Sequence, residues 1–199
     1  GIAVTDPMGY PNRYAGRGGL GAVMGSKGLK VIAIFDEGLK SLEHADRDAF
    51  NTAVKTFAAA LRSHPVSGTG LPTYGTNVLA NIINEAGGYP TRNFSEGRFE
   101  GVDGISGETM REITVARGGN VKHGCHSGCV IQCSRYYVDE DGHYLTKGPE
   151  YESAWSLGAN CGISDMDAVA RLDRLCGDLG VDTIEMGATL GVYMDSGQI

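Results

Sequence analysis

Cys125, Cys129 and Cys133 stand four residues apart in HGCHSGCVIQCSRYY, so three of the chain's five cysteines fall within nine positions. Thiols this close, with Gly124 and Gly128 freeing the backbone to curl, form a donor set for an iron–sulfur cluster or a soft metal ion. A disulfide would use only two of them, and nothing else in the sequence points to an oxidising compartment. Zinc held by the three cysteines and His123 or His126 is an alternative, although its usual signature is a two-residue gap repeated twice. Burial of the cysteines as small apolar side chains is another.

Two further groups of residues have the types that bind or react. Gly16-Arg17-Gly18-Gly19 sets free amides beside a guanidinium, a combination that matches phosphate oxygens. The glycines are spaced neither as a P-loop nor as a dinucleotide fingerprint, and no helical pattern follows them directly. A glycine-rich hairpin entry with a surface arginine is the plainer reading. Glu150 and Glu152 flank Tyr151 just after a proline. In an extended segment they share one face, because side chains alternate with period two. Their plain reading is a solvated pair.

The elements that would position these groups are mainly helical. Asp46 to His64 carries Phe50, Val54, Phe57, Ala58 and Leu61 on one face, with Pro65 just beyond, and reads as a core-facing helix. Thr76 caps a second helix with Val78, Leu79, Ile82 and Ile83 facing inward, and Gly87-Gly88 stops it. GGYPTRNFSEGRFEG is an irregular loop. Ser106 to Val115 is a short capped helix. Ser164 or Asp165 caps the longest helix, with Met166, Val169, Leu172, Leu175, Cys176 and Leu179 as its stripe and Gly180 as its stop. Asp182-Thr183 then caps a last helix, in which Gly187 and Gly191 admit another backbone or a flat cofactor. Two hairpins are expected: Leu20–Met24 with Leu29–Phe35 around Gly25-Ser26-Lys27-Gly28, and Ser134–Val138 with His143–Leu145 around an acidic turn. Cys161 sits among small residues and reads as buried. The fold class is thus mainly α (α+β), a multi-helix domain with short β-hairpins.

The chain has 199 residues and net charge -7 with a pI near 5.2, so a nucleic-acid backbone or an anionic membrane is not the expected partner. No apolar run approaches the roughly 20 residues that span a bilayer, and no leader pattern opens the chain; a cytoplasmic location is expected. Glycine is abundant, 31 of 199 residues against a usual share of roughly 7%. Its spread between periodic segments points to backbone that approaches a ligand or a neighbouring segment closely.

With AGRGGLGAVMGSKGLK, YGTN, GGYPTRNFSEGRFEG, the cysteine run, GPEYESAWSLGANCGI and LGVDTIEMG in this order, nearly the whole chain resembles the tungsten-containing aldehyde ferredoxin oxidoreductase family. The resemblance implies a fragment of a larger three-domain oxidoreductase. Residues 1–36 would end an amino-terminal pterin-binding β domain, and 37–199 would form a helical central domain carrying the cysteine loop. It implies a tungsten or molybdenum bis-pterin centre and a [4Fe-4S] cluster bound by Cys125, Cys129 and Cys133, the fourth ligand lying in a later domain. Arg13, Ala15, Arg17 and Gly18 match the contact with the pterin phosphates, and Gly180, Asp182 and Thr183 match a pterin-binding aspartate–glycine motif.

Glu150 and Glu152 match a segment reaching the metal pocket, with Glu152 favoured as the acting carboxylate. The first cysteine gap is three residues where the family has two, and Gly177 stands where the family's motif opens with a polar residue. The implied reaction is oxidation of an aldehyde to a carboxylic acid, with electrons passing to ferredoxin or a similar carrier, in a protein that pairs as a homodimer at full length. The catalytic histidine is expected outside these residues, and the isolated stretch is expected to be inactive. Two alternatives remain: a zinc-stapled binding module without catalysis, and a relative acting on something other than an aldehyde.

Overall fold

In the computed structural model the described residues are 1–198 except 5, 7, 8, 11, 12 and 41, so part of the aperiodic opening stretch lies outside them. Strands β1 (Ile2–Ala3) and β2 (Tyr14–Ala15) pair antiparallel, with Ile2 opposite Ala15. Helix α1 (Leu20–Ser26) and helix α2 (Arg47–Ser63) follow. A wide turn, Pro65–Gly70, leads into α3 (Leu71–Tyr74), a 3-10 turn at Thr76–Val78 and α4 (Leu79–Glu85). Helix α5 (Gly107–Ala116) precedes a three-stranded antiparallel sheet of β3 (Asn120–His123), β4 (Ser134–Val138) and β5 (Tyr144–Thr146), with β4 central. Helices α6 (Tyr151–Leu157), α7 (Met166–Leu179) and α8 (Thr183–Asp195) complete the chain. The molecule is mainly helical with two small sheets, as the residue patterns indicate.

The core is assembled by the residues from 80 onward. Tyr89, Phe99, Ile105, Met110, Tyr137, Leu157, Met166 and Val169 pack together, each contributing about 1.5–3 kcal/mol by leaving water. Helices α6 and α8 lie side by side in parallel register. Ser153 Oγ meets Thr183 Oγ1 at 2.8 Å, Gly187 faces the backbone of Ser156, and Gly191 faces Asn160. A Cβ at Gly187 would collide with the Ser156 carbonyl, which is why glycine stands there. Of the two roles open to these glycines, close backbone approach is the one observed.

Caps are the sequence signals that hold best. The carboxylate of Asp46 accepts from the Ala49 amide, Ser106 Oγ from the Thr109 amide, Asp165 from the Asp167 amide, and Asp182 from the Ile184 and Glu185 amides. Gly180 ends α7 in the left-handed conformation, φ 70°. The acidic-turn hairpin forms as β4 and β5.

Several expectations are corrected. Leu20–Met24 and Leu29–Phe35 do not form a hairpin. Gly19, at φ 71°, opens α1 directly after the glycine–arginine stretch, where no helix was expected, and its carbonyl accepts from the Ala22 and Val23 amides. So short an apolar run carries too few residues for its period to separate helix from strand. Residues 29–36 have no strand partner among those described, and Phe35 is 85% exposed. Helix α2 has its expected bounds but buries none of its residues; Phe57 is 67% exposed. In α4 it is Ala80 and Ile83 that turn inward, while Leu79 and Ile82 are exposed. The Thr76 hydroxyl caps a different helix: it accepts from the Tyr151 amide at 2.9 Å. On α7, Leu175 and Leu179 are exposed, so the buried stripe is narrower than the apolar one. The strand β3 was not foreseen, because NVKH is too short to show a period.

Candidate functional site

The parallel packing of α6 and α8 puts their first residues at one end of the molecule. There they bound a hollow of about 160 Å³ lined by Tyr14, Gly16, Arg17, Lys147, Glu150, Glu152, Asp173, Gly177, Asp182 and Thr183. A second hollow of about 510 Å³ shares Gly16, Arg17, Val181 and Asp182 with it and continues past Gly18 and Gly19 to Glu185 and Thr189. Three segments distant in sequence therefore converge on this end. Tyr14 ties them: its hydroxyl donates to the Gly177 carbonyl at 2.5 Å. Gly16 lies so close to Asp182 that a Cβ would sit 3.1 Å from the carboxylate. Arg17 Nε is 3.9 Å from the same carboxylate and its side chain is largely exposed. Ala15 is the last residue of β2, and Gly18, at φ 83°, turns the chain into α1. Arg13 is turned to Asp6, with Nε 2.5 Å from the carboxylate, while its buried Nη2 has no hydrogen-bond partner among the described residues.

The two glutamates do not share the face of an extended segment. Glu150 is the N-cap position of α6 and Glu152 is in its first turn, because the Thr76 hydroxyl starts the helix at Tyr151. Both still line the hollow, and they differ in restraint. Glu150 accepts from Thr76 Oγ1 at 2.6 Å and lies 3.7 Å from Lys147 Nζ, so it is held from two sides. Glu152 is half-buried and lines the hollow from the first turn of α6.

The cysteine loop runs between β3 and β4. The ligand atoms of Cys125, His126 and Cys129 lie within 4.8 Å of one another. Gln132, at φ 54°, turns its amide to donate to Cys129 Sγ at 3.4 Å, and this bond holds the Cys129 thiol below its ordinary pKa. Burial raises the Cys133 thiol, with the Glu150 charge adding to the effect. All three are free, Cys125 exposed and the others half-buried. The converging donors are two thiols and an imidazole, with an amide aimed at one sulfur, while Cys133 stands outside the group; soft donors of this kind fit a metal–sulfur group. The histidine grouped with the thiols is His126; His123 instead contacts the Tyr136 hydroxyl at 3.2 Å, and burial lowers its pKa. Cys161 is buried, as expected, and donates to the Ser156 carbonyl at 3.4 Å.

Sequence reasoning missed Lys147, Asp173 and Arg135. Asp173 is a buried carboxyl at the base of the hollow, receiving a bond from Thr146 Oγ1 at 2.5 Å, and burial pushes its pKa up. Its polarity within the apolar stripe of α7 was the one available signal.

Residues 52–198 match the family profile described as aldehyde ferredoxin oxidoreductase, domains 2 and 3. The tungsten-containing aldehyde ferredoxin oxidoreductase of Pyrococcus furiosus is 45% identical over 188 residues, 92% of this chain and 29% of its own. That of Thermococcus kodakarensis is 46% identical over 185 residues, again 92% and 29%. The WOR-like subunit of an aliphatic sulfonate oxidoreductase from Pyrococcus furiosus is 29% identical over 183 residues, 89% of this chain and 27% of its own. These relatives are oxidoreductases, two of them named for tungsten. The chain belongs to the aldehyde ferredoxin oxidoreductase family, and it spans less than a third of the length of the curated relatives it matches. Among the described residues no helix is long and apolar enough to cross a membrane.

Proposed function

We propose that this chain is the central part of an enzyme oxidising an aldehyde to the carboxylic acid at a tungsten or molybdenum bis-pterin centre. Cys125, Cys129 and Cys133 would hold a [4Fe-4S] cluster, which would supply electron transfer to ferredoxin or a similar carrier. The observation that carries this reading is the single hollow joining the glycine–arginine stretch, both glutamates and the start of α8. Once bound, the metal centre supplies the two-electron acceptor and the oxygen chemistry.

The chain's own residues bind, orient and move protons. Arg17 and the amides of Gly18 and Gly19 meet phosphate oxygens, supported by Arg13 and Ala15 behind them. Asp182 and Thr183 form the opposite wall, just after Gly180 ends α7, and the carboxylate of Asp182 would accept from amino and amide donors of the pterin. Glu150, fixed by Thr76 and Lys147, sets the charge of the pocket. Glu152, with a free path into the hollow, takes the proton released as the substrate is hydrated and oxidised. The domain boundary near residue 36 follows from the same reading, as does activity only in the longer protein.

The full-length protein, purified without oxygen, tests this directly. Iron and acid-labile sulfide in equal amounts, together with tungsten or molybdenum, support it. Zinc without iron favours the second reading, a structural site on Cys125, His126 and Cys129, which their convergence makes the specific alternative. A relative acting on sulfonates makes substrate the next question, answered by screening aldehydes and sulfonates with a viologen acceptor.

A further inference from the structure

Arg135 is the largest fully buried side chain described, 2% exposed on the central strand β4. No carboxylate forms an ion pair with it among the described residues, and its Nη1 is buried with no hydrogen-bond partner. Among the described residues its Nη2 donates only to the Cys133 carbonyl, at 3.3 Å. The half-buried arginine of the same region behaves differently: Arg117 holds Asp167 with both nitrogens, at 2.6 and 2.8 Å. An unpaired guanidinium in the interior is strongly unfavourable unless its charge is used.

The fold is shaped to keep it there. Gly75, at φ 66°, lies against the guanidinium, and a Cβ would come within 2.8 Å of Cζ; Gly148, at φ 83°, lies against the stem, within 2.9 Å of Cδ. Two left-handed glycines thus form a slot around one side chain, and no residue with a Cβ would leave room at either position. The slot also places the charge. The residue after Gly75 is Thr76, whose hydroxyl holds Glu150, and Glu150 exerts its field on both Arg135 and Cys133. Arg135 therefore stands between the end of the cysteine loop and the carboxylate of the pocket.

We propose that Arg135 is a fixed buried cation that raises the reduction potential of the cluster held by Cys125, Cys129 and Cys133. Reduction adds a negative charge to the cluster, and a cation locked nearby in a low-dielectric interior stabilises the reduced form more than the oxidised one. Arginine suits the task because its guanidinium keeps its proton throughout, and the neighbouring Glu150 and a thiolate-bound cluster would hold a lysine in its place charged as well. The inference rests on the cluster reading above.

The test is an EPR-monitored redox titration of the anaerobically purified full-length protein, with iron and sulfide analysis of each sample. Arg135→Gln and Arg135→Met are two neutral variants of different shape, and Arg135→Lys keeps a charged head. The neutral variants should hold the parental iron and sulfide content and reduce at least tenfold less favourably, a midpoint lowered by ~59 mV or more for a one-electron couple. Arg135→Lys should stay near the parent. A neutral variant with full iron and an unchanged midpoint overturns the proposal and leaves the cluster reading intact. A lysine variant that falls as far as the neutral ones also overturns it, since the shift would then follow packing; it decides alone should neither neutral variant fold. Parental protein with zinc in place of iron sinks the cluster reading itself.

Discussion

Helices α2 and α7 carry equally clear apolar stripes, have similar lengths and are both capped by aspartate, yet one is bare and the other buried. Met166 and Val169 of α7 are 1% and 0% exposed, while Phe50, Val54 and Phe57 of α2 all face solvent. The same division runs through the chain: residues from 80 onward build the core, whereas α1, residues 29–40 and α2 contribute nothing to it. An amphipathic pattern states that a helix has a partner and does not say which one. The difference teaches that α7 finds its partner among these residues and α2 does not.

The contrast can be broken by truncation. Met166→Ala should cost about 2–5 kcal/mol, read from urea unfolding of the 199-residue chain. A loss as small as that of an α2 substitution would erase the distinction between the two helices. Gly187→Ala should cost about 1–3 kcal/mol by wedging α6 from α8, seen as a lowered melting temperature. The equivalent substitution at Gly25, where nothing lies within reach, should cost far less.

A finer division lies within α7 itself, between Asp167 and Asp173. The Arg117 guanidinium holds Asp167 below the usual carboxylate range, so its contribution is present above the unfolded pKa of about 3.9 and is lost as pH falls. Asp167→Asn should therefore cost about 1–2 kcal/mol at neutral pH, discounted for partial exposure, and flatten the acid limb of the stability curve. Asp173 has the opposite sign. Its raised folded pKa makes stability fall as pH rises from about 4 to that pKa, and Asp173→Asn should remove that fall. Unfolding followed across pH 3–7 (roughly the span of the two limbs) distinguishes them; parallel behaviour of the two variants would contradict the assignment. The smallest effect expected is Phe57→Ala in the same chain, within about 0.5 kcal/mol.

Much of the fold was legible in the residues themselves. Asp46, Ser106, Asp165 and Asp182 announce their helices because a cap is a local contact, satisfied within three residues. Local signals failed where the outcome depends on distant chain. Leu20–Met24 was too short to carry a period, and Thr76 serves Tyr151, a partner 75 positions away. The candidate site divides the same way. The cysteine loop was visible as spacing, whereas the hollow exists only because Tyr14 reaches Gly177 and α6 lies along α8. Arg135 gave no signal at all, since a lone arginine in a strand is unremarkable until its surroundings prove dry.

The register of α6 on α8 has a mechanical side. Because Gly191 touches Asn160, in the 3-10 turn that follows α6, at the far end and Thr183 touches Ser153 at the near end, the two helices behave as one stiff bar held at both ends. Eight residues at 1.5 Å each separate those ends, ~12 Å of lever arm. A methyl group added at Gly191, remote from every residue of the hollow, would pry the bar apart and carry Glu152 away from Asp182 at the other end. The separation of Glu152 from Asp182 is thereby set in part by a contact well behind both of them.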